Sequence, residues 1–239
     1  MTFSICKRIF TGALLILISM TQVTAQTQQR PVLQAILTIN TQTPVNELGG
    51  AIDLLEKTFD EKQDYLVAKM FYGYGQLFMA THYLSKKNYL KAAESSKLGF
   101  FYMDEAAETD ENNWRMRYLR ARMDSFVPAS NGRCVIALKD TAYLQTNSEV
   151  TASLKPMILM MSARANTACQ HSEVAEQEWA SLAQLGEEGK RLSSLRDNPA
   201  PEWSENELNS VIMPATELTP WWMYYFGSLM RLLPMRCLS

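Results

Sequence analysis

Residues 64–95 read DYLVAKMFYGYGQLFMATHYLSKKNYLKAAES. Val67, Met70, Phe71, Tyr72, Tyr74, Leu77, Phe78, Met79 and Tyr83 leave the segment 64–86 apolar almost all round. A helix of that kind has to sit between neighbours. Gly73 and Gly75 each cost about 1 kcal/mol against Ala inside a helix. Their retention predicts another helix packed close at that point, or a local kink. A second helical run starts at once, over 88–109.

Outward from this pair the chain continues as helix after helix. Segments 31–40, 45–59, 113–126, 131–145, 151–169 and 172–194 carry helical patterns, and 221–233 adds one near the end. In 151–169, Leu154, Ile158, Met161, Ala165 and Ala168 recur at three and four residues, as one face of a helix does. Val174, Trp179, Leu182, Leu185 and Leu192 make a comparable stripe in 172–194. The breaks hold turn and cap chemistry. Thr43 or Asn46 suits the cap of 45–59, Asn112-Asn113 precedes Trp114, and Pro128-Ala129-Ser130-Asn131-Gly132 is a turn cluster. No run of alternating Val, Ile or Thr is bounded by turns, so no sheet is predicted. The class is all-α.

Small residues repeat with a spacing of twelve. Ala80 and Ala92 share it, flanked by Met79, Tyr83 and Tyr89; Ala163 and Ala175 share it again, flanked by Leu159 and Trp179. Here the chain resembles the tetratricopeptide-repeat superfamily, over roughly 45–194. The resemblance implies a right-handed solenoid of antiparallel helical hairpins with a concave face for a protein or peptide. The sequence departs from the family in three ways. The unit exceeds 34 residues, Asp104 stands where the family tends to place Pro, and no alanine lies twelve positions before Ala137. Gly99 to Glu108 reads as an extension of one second helix. In such a stack the second helix of one hairpin runs antiparallel to the first of the next. The start of 131–145 then meets the end of 151–169, which brings Cys134 and Cys169 within disulfide reach. Two buried free thiols are the alternative.

The ends of the chain read differently. Lys7 and Arg8 precede the uncharged run Ile9 to Met20, and Val23-Thr24-Ala25 fits a cleavage site before Gln26, so 1–25 reads as a secretory signal peptide. Export to an oxidising compartment follows, the periplasm for a Gram-negative source. The helical domain then covers 26–196. A Pro-containing loop covers 197–220, opened by Asn198-Pro199-Ala200-Pro201, and an aromatic tail covers 221–239. The tail helix 221–233 has three readings: a cap on the stack, a docking segment, or a membrane-interface contact. Cys237 either pairs with another chain or stays free.

Composition removes several function classes. Lys and Arg number 23 against 25 Asp and Glu, a net charge of −2, which argues against a nucleic-acid partner. No C-x-x-C, Gly-rich phosphate loop or nucleophile elbow is present, and the two imidazoles, His82 and His171, carry no metal spacing. No metal, cofactor or catalytic residue is therefore predicted. The candidate partner-binding residues are Arg117 and Arg120, which share one helical face, with Trp114, Arg164, Tyr72 and Tyr74. Arginines fork onto carboxylates and phosphates, and aromatic rings give large contact area. Arg115 and Arg122 fall on another face of the same helix. The alternative is that the arginines pair with Asp104, Glu105, Glu108, Asp110 and Glu111, and that the aromatics are core. The function expected is a non-catalytic exported binding or scaffold protein. An accessory subunit of an envelope membrane complex, docked through its tail, and a ligand carrier or enzyme with a pocket between helices are the alternatives.

Overall fold

The computed structural model describes residues 30–217. The segment 1–25, read as a signal peptide, the segment 221–233, read as a tail helix, and Cys237 lie outside the described residues. Among the described residues all regular structure is helical. Helix α1 spans 30–38. It is followed by α2 (Val45–Glu61), α3 (Leu66–Ser85), α4 (Tyr89–Thr109), α5 (Trp114–Asp124), α6 (Cys134–Thr146), α7 (Lys155–Ala168), α8 (Ser172–Leu182) and α9 (Gly186–Ser193). A last irregular helix, α10, covers 205–216.

From α2 to α9 each helix packs on the next in sequence, and α3, α5 and α7 also touch in order. The helices thus form hairpins whose first members lie side by side. Asn88 and Asn113 cap α4 and α5, accepting hydrogen bonds from the Lys91 and Met116 amides, which satisfies donors that a helix start leaves orphaned. At α2 neither Thr43 nor Asn46 does this; Pro44 occupies the cap position without a side-chain bond.

Hairpins α3–α4 and α7–α8 are built alike. Lys87 and Gln170, at the middle of their three-residue turns, are left-handed, with φ of 57° and 64°. In both turns the next residue donates its amide to a carbonyl five back, Asn88 to Tyr83 and His171 to Asn166, each at 2.9 Å. Those bonds close the helix ends. Ala80 and Ala163 stand seven residues before the turn centre, Ala92 and Ala175 five after it, and all four are buried. The middle hairpin, α5–α6, turns instead through a longer connection with a 3-10 turn at Ala129–Asn131 and a left-handed Gly132.

Gly73 answers to close approach. A Cβ there would lie 2.7 Å from the Gly99 carbonyl oxygen of α4, so the two backbones nearly touch. Gly75 leaves room for the Ile52 side chain of α2. The large side chains around them, Phe71, Met70, Met103 and Leu55, are fully buried and form one core with Tyr118, Leu119, Ile158 and Met160 further along.

Cys134 and Cys169 form a disulfide, with Cα atoms 5.6 Å apart. It ties the start of α6 to the end of α7, as the antiparallel stacking requires.

Two features differ from the sequence reading. The segment 172–194 is not one helix, because Gly186 takes a φ of 68° and separates α8 from α9. The stretch 197–220, expected as loop, contains α10. Ser204 and Glu207 form a complete capping box that starts it. Its centre, Leu208–Ile212, is a π turn, and Met213–Thr216 ends it.

Candidate functional site

Two arginine clusters issue from α5, one on each side. Helical geometry separates them: Arg117 and Arg120 face α4 and α6, while Arg115, Tyr118 and Arg122 face α10.

On the first side Arg120 grips Asp140 of α6 through two bonds of 2.8 and 3.0 Å, and Arg117 reaches the same carboxylate at 3.3 Å. Arg120 also meets Asp104 at 3.2 Å and Glu108 at 3.3 Å on α4. Arg133, just before α6, forks onto both Asp104 and Asp124, with four bonds of 2.7–2.9 Å. Asp140 is fully buried, and Arg120 is 2% exposed. Burial pushes the Asp124 carboxyl up to about 7, against the pull of Arg133. Burial opposes the charge on Arg120, yet the bond and charge of Asp140 carry it above the ordinary arginine value. A buried guanidinium needs such partners, because an unpaired charge in the interior is very costly.

This corrects the expectation that Arg117 and Arg120 form an open docking face. They stand inside the protein and lock α4, α5 and α6 together. The pairing with Asp104, Glu108 and Glu111 is present. The chief partner, Asp140, is one that sequence reasoning did not single out.

Tyr72 is likewise interior. It packs against Phe59 and Tyr102 and donates to Glu56 at 3.2 Å. Trp114 is 3% exposed, with the Arg115 guanidinium 4.4 Å from its ring centre. Neither offers an open surface.

On the other side of α5 the chain's own residues 196–216 lie against α3, α5 and α7. The contacts follow an order. Arg164 of α7 donates to the Arg196 carbonyl and, at 3.1 Å, to that of Asn198. Arg122 donates to the Pro201 carbonyl at 2.7 Å. The Trp203 ring sits 6.1 Å from that of Phe71 and 6.2 Å from that of Tyr74, with the Arg122 guanidinium 5.1 Å from its centre. Glu207 accepts from Arg122 and from the Tyr118 hydroxyl, both at 3.0 Å. Arg115 donates to the Ser210 carbonyl at 3.1 Å, and Tyr65 to that of Thr216 at 2.8 Å. As the segment advances, its partners step back along α5 (122, 118, 115), and from Phe71 and Tyr74 of α3, which meet Trp203, to Tyr65 just before α3, which meets Thr216. It therefore runs antiparallel to both helices, down the furrow between them.

The Arg115 bond falls where a proline removes an α-helical donor. In a helix the Ser210 carbonyl would accept from the amide of residue 214, which is proline and has none. Arg115 donates to this half-buried carbonyl. The same proline leaves α10 unable to continue as an unbroken α-helix, in keeping with the π turn before it.

Electrostatics agree with this enclosure. Burial pushes the Tyr65 hydroxyl up to about 12, and burial with the nearby Glu207 charge raises Tyr118 well above the usual tyrosine range. Burial pulls Arg115 and Arg164 down. Glu207 is fully buried.

Of the sequence candidates, the furrow uses Arg164 and Tyr74. Tyr74 also donates to the Leu119 carbonyl. Arg115 and Arg122, read as the other face of the arginine helix, and Tyr118 between them also line the furrow; the furrow residues that sequence reasoning missed are Tyr65, Trp203 and Glu207. The spacing Ser204-x-x-Glu207 was the available signal for α10.

His82 lies beside Tyr83, and His171 meets Asn166 at 3.0 Å. Among the described residues no group of three or more His, Cys, Asp or Glu could hold a metal ion. A shallow depression between α1 and α2, lined by Pro31, Thr38, Gly50 and Leu54, holds Glu47 as its titratable group. Among the described residues no helix is long and apolar enough to cross a membrane. No protein-family model matches the chain, and neither a curated protein nor a solved structure gives a significant match.

Proposed function

We propose that the protein is an exported, non-catalytic binding or scaffold protein, a tetratricopeptide-like solenoid that holds peptide segments along the first helices of its hairpins. The observation that carries this reading is the grip on main chain in the furrow. Arg115, Arg122, Arg164 and Tyr65 all donate to backbone carbonyls of the segment lying there. Every polypeptide offers carbonyls, so a wall of such donors suits peptide binding in general, while pockets for particular side chains set preference. The identical turns of α3–α4 and α7–α8, with alanines at equal distances from each turn, support the repeat. The disulfide suits an oxidising compartment and so supports export.

The test is affinity purification of the tagged chain after crosslinking in its native cells. The reading expects a protein partner in near-stoichiometric amount, reduced in an Arg115→Ala/Arg164→Ala variant that keeps its helical circular dichroism. Recovery of the chain alone, or of a partner in an amount unchanged by the double substitution, contradicts it.

A further inference from the structure

We propose that the furrow between α3 and α5 recognises an acidic partner peptide carrying an aromatic residue, a helix-capping residue next to it, and a glutamate three positions after the cap. Residues 199–216 fill that site in cis. The inference rests on the binding reading above and names the chemistry of the occupant.

Three observations converge. First, beyond the apolar Val211 and Ile212, which are buried in the core, the occupant's side chains are read at two points. Trp203 packs against both Phe71 and Tyr74, with Arg122 against its ring. Glu207 is held by Arg122 and Tyr118 while its other oxygen accepts from the Ser204 amide and hydroxyl. A carboxylate so placed both starts the helix and pairs with the wall, so aromatic, cap and glutamate form one recognisable unit. Aromatic anchors and desolvated charge pairs are the groups that dominate peptide and protein interfaces. Second, charges are complementary. Residues 197–217 carry Asp197, Glu202, Glu205, Glu207 and Glu217 and no Lys or Arg. The wall presents Arg115, Arg122 and Arg164. Third, the remaining hydrogen bonds named above go from wall side chains to occupant carbonyls, which a foreign segment supplies equally well. The occupant reaches its place through the tether Asn198-Pro199-Ala200-Pro201.

A tethered segment competes at an effective concentration on the order of millimolar. A free peptide therefore gains access when the cis copy is weakened. The experiment uses the full chain and a fluorescein-labelled peptide with the sequence of residues 199–216, followed by fluorescence anisotropy. The chain variant Trp203→Ala/Glu207→Gln binds the peptide about tenfold or more tighter than the wild-type chain does. A peptide bearing the same two changes binds neither, and adding Arg122→Ala to the chain variant removes binding. A chain variant that keeps its helices and binds no tighter than wild type overturns the proposal.

Should the variant lose its helices, the wild-type chain cut once at a protease site inserted between Pro199 and Pro201 decides the matter. Exchange of the cut segment for labelled peptide supports the site, and a cut segment that never exchanges overturns it. Light scattering on the same samples reports the other occupant: a dimer held by swapped 199–216 segments overturns the assignment to a foreign peptide. The outcome is separable from that of the purification. A partner recovered without peptide exchange leaves the scaffold reading and removes this site, and exchange without any partner does the reverse.

Discussion

The two sides of α5 solve one problem in two ways. Both bury arginines. On the side of α4 and α6 the charges meet carboxylates: Arg117, Arg120 and Arg133 against Asp104, Asp124 and Asp140. On the furrow side one carboxylate, Glu207, is present, and the other bonds go to main-chain carbonyls. The first arrangement specifies particular partners on three consecutive helices. The second holds a backbone through its carbonyls and inspects its side chains at Trp203, at Glu207 and at the buried Val211 and Ile212. The difference separates a permanent joint from a seat. A buried ion network fixes register, whereas a row of donors to carbonyls holds a strand or helix that another chain can supply.

The largest effect is expected at the joint. Asp140→Ala leaves Arg117 and Arg120 buried without their shared carboxylate, and it lowers unfolding free energy by about 3–5 kcal/mol in urea titration. Asp140→Asn, which keeps an acceptor, costs less. Equal stability of Asp140→Ala and wild type would dissolve the distinction between joint and seat.

Next comes the covalent tie of the same region. Closing a loop with a sequence separation of 35 contributes about 4 kcal/mol in the chain-entropy model, so Cys134→Ser/Cys169→Ser is expected to lose a comparable amount by the same titration. The seat is expected to respond less. Glu207→Gln weakens the Arg122 pair and costs about 1–3 kcal/mol, seen as earlier proteolysis within 199–216 while α4–α6 stays protected.

A last measurement sharpens the joint by pH. Burial raises Asp124 from its ordinary value to about 7. A raised folded value means the folded state holds the proton more tightly than the unfolded one. The contribution of this group is then fully present below its unfolded value near 4 and is lost as pH rises through 7. The stability difference between wild type and Asp124→Asn is expected to fall from pH 4 to pH 8. A flat difference would show that Arg133 alone governs Asp124.

Most helices were legible because their apolar positions recur at three and four residues, and the alanine spacing located the two like-built hairpins. The same stacking logic placed Cys134 opposite Cys169. The break at Gly186 was not legible, because the apolar stripe of 172–194 continues across it and a left-handed backbone leaves no mark on side-chain periodicity. The helix α10 was obscured by Pro199, Pro201, Pro214 and Pro220, although Ser204 and Glu207 announced its start. The two arginine faces of α5 were separable from spacing alone. Which one faced an occupant was not, because this helix is buried on nearly every side, polar residues included. Amphipathicity identifies a solvent face only where one exists. The partners that distinguish the faces, Asp140 and Glu207, lie 20 and 85 residues away from the arginines they meet.

Native-state hydrogen exchange compares joint and seat in a single protein. Segments that open independently exchange at a lower free energy than global unfolding. Amides of residues 205–216 are predicted to exchange through such a partial opening while those of α5 and α6 exchange only with the whole molecule. Exchange of 205–216 at the global free energy, in step with α5 and α6, would contradict the account.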